Sequence, residues 1–306
     1  MIVTSGSQHA LDLAARAVLE PGDAVWMEDP GCFGAGGAFV SAGAHLVPVP
    51  VDGDRMNVGE GIRRHARAKL AFVTPVRQLP LGVTMTLERR LALLGWAAQR
   101  RAWILEDDYD SEVPLPTRPL GVAAGPRHLE LRHLHRHRSA RCDASGAAAR
   151  YLVVPDSLVD AVTVVRRHTD FCAPYFSQAV MADFMREGHF DATSAGCGRS
   201  TRLAASCSVD LLRRDCAGLL EVEAPDAGMN LIAWLPIGTS DRKISAALRT
   251  GGIDDAAALL LRDETAAAAG TAARGSAASA RPTSAKAPLP PGARQLERMI
   301  RRRPRR

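Results

Sequence analysis

The run Ile104-Leu105-Glu106-Asp107-Asp108-Tyr109-Asp110-Ser111-Glu112 passes abruptly from apolar to acidic. An apolar strand ending in carboxylates and a phenol places them where open α/β sheets bind ligands, at the carboxyl ends of the strands. A carboxylate shielded there, such as Asp107, holds the nitrogen of a pyridine ring protonated and so makes the ring an electron sink. A phenol two residues on, Tyr109, can hydrogen-bond to a hydroxyl oxygen of the same ring. The bland alternative is a solvated acidic loop. A second feature, Gly6-Ser7-Gln8, lies between an apolar strand and a helix start. Free backbone N–H groups and the helix dipole favour a phosphate at such a place. A tight turn without a ligand is the alternative.

The segments around these features alternate between strand and helix. Residues 2–4 read as the end of a strand. Residues 8–19 read as a helix, with Ala10, Leu11, Leu13, Ala14 and Val18 at helical spacing. Strands are expected at 24–27, 45–51, 70–73 and 102–105, and helices at 34–42, 57–67 and 87–100. In the last helix Leu87, Leu91, Leu94 and Ala98 form one apolar stripe. Strands separated by helix-length segments predict a mostly parallel α/β sheet covered on both faces.

Further along, residues 121–150 and 191–210 show no periodicity. Strands are expected at 151–155 and 229–235, and helices at 157–167, 177–188, 241–249 and 294–302. Residues 254–291 form an Ala/Gly/Ser/Pro tract that reads as disordered. Apolar content of 46% supports a real core, but aromatics at 5% leave it to Leu, Val and Ala. There is no apolar run of about 18 residues to span a membrane, and no leader pattern at the start, so a cytoplasmic location is expected. The six cysteines lack CxxC spacing and read as free thiols. Net charge is +6, with five arginines in the last seven residues. Such a tail can touch nucleic acid or be a frayed, solvated end.

Four motifs in order resemble the MocR-type regulators: Thr4-Ser5-Gly6-Ser7-Gln8-His9-Ala10-Leu11, Glu28-Asp29-Pro30-Gly31, Thr74-Pro75-Val76-Arg77-Gln78-Leu79-Pro80-Leu81-Gly82-Val83-Thr84, and 106–112. Members of that family are GntR-type transcription factors in which a winged helix is fused to a fold-type I aminotransferase-like domain that uses pyridoxal phosphate. The resemblance extends discontinuously to 151–155, 181–190 and 218–236. It implies a large α/β domain over 1–155 (121–150 aberrant), then helices and a small α+β C-terminal domain over 156–253, which the aperiodic stretch 191–210 leaves damaged; composition makes 254–306 a disordered basic tail. It implies that Gly6, Ser7 and Gln8 border the cofactor phosphate, that Asp107 pairs with the pyridine nitrogen and that Tyr109 pairs with the ring oxygen. It also implies a homodimer and a small amino compound as effector. There are departures. Cys32 stands where the family often has an aromatic over the ring, with Phe33 next to it, and Val76-Arg77-Gln78 replaces Ser-His-Gln.

The largest departure is a missing lysine. The family places a Ser-Lys pair after the acidic strand, and its amine bonds the cofactor covalently. The chain's only lysines are Lys69, Lys243 and Lys286, and none matches that motif, so no catalytic residue is assigned. Residues 134–137 and 145–150, read in a shifted frame, regain family-like sequence, and 192–203 and 283–287 do likewise. A frame-shifted gene and a lysine-free divergent variant are the two accounts, and the coding DNA with its upstream flank decides between them. The shifted frame also explains the alternating His133, His135 and His137 without a metal. The expected protein is a truncated, non-catalytic remnant of the cofactor domain, without a winged helix. A working aminotransferase acting on an amino acid is the alternative. A DNA-binding module built on arginine-rich segments is the third reading, and no recognition motif supports it.

Overall fold

The structure, a computed structural model, describes residues 1–78, 80–108, 128–133, 150–171, 175–222, 231–235, 256–257 and 277–280. The chain divides into two compact units, one of residues 1–79 with 83–197 and one of 80–82 with 198–306.

The first unit is built on an eight-stranded sheet ordered β1-β8-β7-β6-β5-β2-β3-β4. Its strands are β1 (Ile2–Thr4), β2 (Ala24–Asp29), β3 (His45–Asp52), β4 (Arg55–Met56), β5 (Leu70–Val73), β6 (Trp103–Asp108), β7 (His128–His133) and β8 (Arg150–Val153). β7, β6, β5, β2 and β3 are parallel neighbours, β4 is an antiparallel edge, and β8 runs against both β7 and β1. Two reversals cancel, so β1 points the same way as β6. The carboxyl ends of β1, β2, β5 and β6 therefore share one edge of the sheet.

Helices cover both faces. On one lie α1 (Ser7–Val18), α2 (Phe33–Ser41) and α5 (Asp156–Thr169), packed on Val25, Met27, Leu70, Phe72, Trp103 and Leu105. On the other lie α3 (Val58–His65) and α4 (Leu87–Arg100), packed on Trp26, Val47, Val49, Ala71, Val73 and Ile104. The alternation of side chains along each strand produces this division. Asn57 caps α3 by accepting from the Glu60 N–H, and Thr86 caps α4 by accepting from Arg89.

The α4 stripe differs from expectation. Leu87 and Leu91 are 55% and 57% exposed, while Arg90, Leu93, Trp96 and Ala97 are buried. Two overlapping stripes satisfy a period of 3.6 residues, and the larger aromatic selects one: Trp96 stacks on Trp26 with ring centroids 3.8 Å apart. A Cβ at Gly61 would lie 2.9 Å from the Trp26 ring. Gly61→Ala therefore overpacks this stack and lowers unfolding stability by about 1–3 kcal/mol in a urea titration.

The remaining helix of this unit is α6 (Tyr175–Arg186), and α7 (His189–Asp215) continues into the second unit. α7 overturns the expectation of an irregular segment at 191–210. That stretch lacks an apolar stripe and is rich in Ala and Ser, so neither periodicity nor propensity marks it as helix. Strand β7 falls inside the window 121–150 read as aperiodic, although Leu129 and Leu131 alternate locally with Glu130 and Arg132, and it pairs with β6 and β8. In the second unit β9 (Glu221–Val222), β10 (Leu231–Trp234), β11 (Ala256–Ala257) and β12 (Ala277–Ala280) form an antiparallel sheet ordered β11-β12-β10-β9. Val209 of α7 packs with Val222, Leu231 and Ala233, which gives this unit its α+β character. β11 and β12 lie in the tract expected to be disordered, where antiparallel pairing with each other and of β12 with β10 supplies the order. The helices expected at 241–249 and 294–302 lie outside the described residues. No described helix is long and apolar enough to cross a membrane.

Candidate cofactor site

Gly6, Ser7 and Gln8 sit where expected, at the turn from β1 into α1. Gly6 is the N-cap and gives no side-chain cap, and no acidic residue lies in the first turn. The opening N–H groups of the helix have no acceptor within it, and the dipole adds partial positive charge. The Gln8 side-chain amide donates to the Gly34 carbonyl of α2 at 2.8 Å, which ties the two helix starts together. At the same turn the Ser5 hydroxyl lies 2.9 Å from His9 Nδ1, and His9 Nε2 lies 3.5 Å from Asp170.

Asp107 lies near the carboxyl end of β6 and is 8% exposed. Trp103 and Leu105 face α1, α2 and α5, so alternation turns Asp107 to that face too. Glu106 faces the opposite way and lies 3.7 Å from Arg90 of α4. Cys32, just before α2, packs against the same core cluster as Trp103 and Leu105. Burial pushes its thiol pKa up, and the carboxylates of Asp107 and Glu28 push it the same way. Register runs Asp107, Leu131, Leu152, Ile2 across the sheet, so three strand spacings, about 14 Å, separate Asp107 from β1. The α1 turn and Asp107 thus share one edge and one face, and the start of α2 is tied to the α1 turn through Gln8 while Cys32 packs on the core beneath that face. Phe33 is 68% exposed. Tyr109 lies outside the described residues.

Sequence reasoning missed a buried polar cluster behind this edge. Arg55 and Glu28 are fully buried, and Thr74 and Gln78 are each 1% exposed. Arg55 Nη1 donates to Glu28 Oε1 at 3.3 Å and to Thr74 at 3.1 Å, while the Thr74 hydroxyl donates to Glu28 Oε2 at 2.7 Å. Gln78 Nε2 donates to the Pro30 carbonyl. An arginine after the polar turn Asp52-Gly53-Asp54 reads as solvated, and no local signal marks it as buried.

No family model matches the chain. The probable rhizopine catabolism regulatory protein MocR of Rhizobium meliloti is 37% identical over 257 residues, which is 83% of this chain and 51% of that protein. The chain belongs with the aminotransferase-like domains of MocR-type regulators. Solved structures give the fold. The α-aminoadipate aminotransferase LysN of Thermus thermophilus, complexed with N-(5'-phosphopyridoxyl)-L-leucine, aligns over 98% of this chain and 76% of its own (TM-score 0.79, 21% identity). The kynurenine aminotransferase of Pyrococcus horikoshii, in complex with PMP, aligns over 98% and 72% (TM-score 0.77, 22% identity). These neighbours are fold-type I aminotransferases. The chain spans about half the length of the curated relatives it matches.

In this MocR-type domain Lys69 is exposed at the amino end of β5. The parallel register pairs Leu70 with Trp103, so Lys69 lies about 17 Å along the strands from Asp107, at the far edge of the sheet. Lys243 and Lys286 lie outside the described residues, as do His135 and His137. Among the described residues no group of three or more His, Cys, Asp or Glu is placed to hold a metal.

Proposed function

We propose that this domain binds pyridoxal phosphate non-covalently and does not catalyse transamination, the state expected of a MocR-type cofactor domain without its lysine. One observation carries the reading. The uncapped start of α1 and the shielded Asp107 carboxylate occupy one edge and face of the sheet, and the nearest described lysine is at the other edge. The donor set fits the group. Backbone N–H groups at Gly6, Ser7 and Gln8 receive the phosphate, Asp107 pairs with the ring nitrogen, and Tyr109 donates to the ring hydroxyl. When bound, the cofactor supplies an aldehyde and an electron-accepting ring. The chain's own residues orient that ring and screen it from water through Cys32 and the start of α2. The residues 1–155 act as the cofactor domain, and the helices and the small domain follow from 156 on, with the small sheet drawing β11 and β12 from the segment 254–306. A small amino compound is the effector and a second copy of the chain the partner, as in a homodimeric regulator domain.

Borohydride treatment of cofactor-loaded protein is expected to leave no pyridoxyl-lysine peptide in a mass-spectrometric digest, while dialysis removes the cofactor from untreated protein. Stoichiometric labelling of one lysine would overturn the reading and favour a working aminotransferase of the same fold. That alternative draws on the similarity to solved aminotransferases.

A further inference from the structure

We infer that Arg55 and Gln78 are positioning residues for the cofactor site: through Glu28 and Pro30 they hold the segment 29–34 against both Asp107 and the α1 turn. The inference rests on the cofactor-binding reading above. Segment 29–34 reaches the α1 turn, where the Gly34 carbonyl accepts from Gln8, and carries Cys32, which packs against the same core as Trp103 and Leu105, on the face of β6 to which Asp107 turns.

The segment leaves β2 in a tight turn. A Cβ on Gly31 would lie 2.1 Å from the Glu28 carbonyl oxygen, so the backbone folds directly back over Glu28. Glu28 is therefore the pivot of the turn, and its side chain is locked from three directions. Arg55 arrives from β4, Thr74 from the end of β5 and Gln78 from the loop beyond. Gln78 also reaches past Glu28 to the Pro30 carbonyl, and its own N–H donates to the Val83 carbonyl at 3.0 Å. The turn is thus tied to the 75–86 loop as well as to its own strand.

Arg55 adopts φ 94, a region in which L residues are uncommon and glycine is at ease. An arginine is kept in that conformation, with its guanidinium fully buried, by partners that face the turn. This geometry converts an ion pair in the sheet into a fixed position for Cys32 and Gly34. Neither Arg55 nor Gln78 touches the cofactor in this account. Both act through the turn.

Two readouts test this. The first needs no cofactor: alkylation of Cys32 by iodoacetamide under native conditions, followed at its peptide by mass spectrometry. Gln78→Leu and Arg55→Met are expected to speed it roughly fivefold or more by loosening the turn. Arg55→Lys restores slow labelling. The circular-dichroism couplet of the Trp26–Trp96 stack reports that the opposite face remains folded. The second readout is a pyridoxal phosphate titration followed by induced circular dichroism of the bound ring. Gln78→Leu is expected to weaken binding about tenfold and to change the sign or intensity of the induced signal.

Gln78→Leu leaves the Arg55–Glu28 pair in place, so it decides the matter even where Arg55→Met loses the couplet. Unchanged Cys32 labelling in a folded Gln78→Leu protein overturns the inference. If the parent protein binds no pyridoxal phosphate, the cofactor reading fails by itself, and the Cys32 rates still decide whether these residues hold the turn.

Discussion

Asp107→Asn is expected to weaken pyridoxal phosphate binding about 10- to 100-fold. A hydrogen bond between a carboxylate and a protonated ring nitrogen is charge-assisted, and removing the charge forfeits about 1.5–3 kcal/mol. The effect is large here because Asp107 is 8% exposed, so water does not substitute for the lost charge. The amide also fails to hold the ring nitrogen protonated. The absorbance of the bound cofactor should therefore titrate at lower pH in the variant than in the parent. A fluorescence titration across pH measures both effects. Equal affinities and equal pH profiles would remove Asp107 from the site. In the non-covalent binding proposed above no covalent bond compensates, so the domain is expected to be more sensitive to the carboxylate than an aminotransferase with its lysine.

Arg55→Met is expected to lower the stability of the folded protein by about 3–5 kcal/mol, the range for breaking one partner of a buried ion pair. The Glu28 carboxylate is then left in the interior with only Thr74 and Gln78 as donors. Arg55→Gly should cost about 1 kcal/mol less than Arg55→Met, because glycine accepts the φ of 94 without strain. Burial already pushes the Glu28 carboxyl above its ordinary value of 4.5, against the pull of Arg55 and Thr74. The folded state thus binds that proton more tightly than the unfolded chain, and stability falls as pH rises from 4.5 toward the raised folded value. Removing Arg55 raises the carboxyl further. The loss in Arg55→Met should be greatest near neutrality and shrink as acid protonates Glu28. Adding Glu28→Gln to Arg55→Met should recover much of the loss, since no charge then remains buried. Urea titrations of the single and double variants over a range of pH check each point. A loss independent of pH would show that Glu28 is not the group responsible.

The positions of the two ends of the candidate site in the fold were legible because their signals are local. A strand that turns acidic as it ends, and a glycine-serine turn into an apolar helix, state their chemistry within a few residues. The strand order was not legible. Residues 121–150 and 191–210 read as aperiodic, yet β7 forms in one by pairing with β6 and β8 and part of α7 forms in the other. The α4 face was misread because leucines at 87 and 91 fit a helical period as well as Leu93 and Trp96 do. Only the Trp26 ring on a neighbouring strand separates the two. Arg55 and Glu28 were hidden for a related reason, since the partners stand 27 residues apart and each looks like a surface charge.

By itself, then, the sequence determined the family resemblance, the mostly parallel α/β core, where the two ends of the candidate site fall in the chain, and that no lysine stands in the expected motif. These depend on residue type, spacing and short-range backbone preference. The tertiary structure alone decided that Asp107 turns toward α1 and α2, that Lys69 lies at the opposite edge, and that a buried arginine pairs with Glu28 at the end of β2. Those outcomes come from sums over contacts between residues distant in the chain. The side that a strand presents, or the charge that a core can hold, is fixed only when every neighbour is in place.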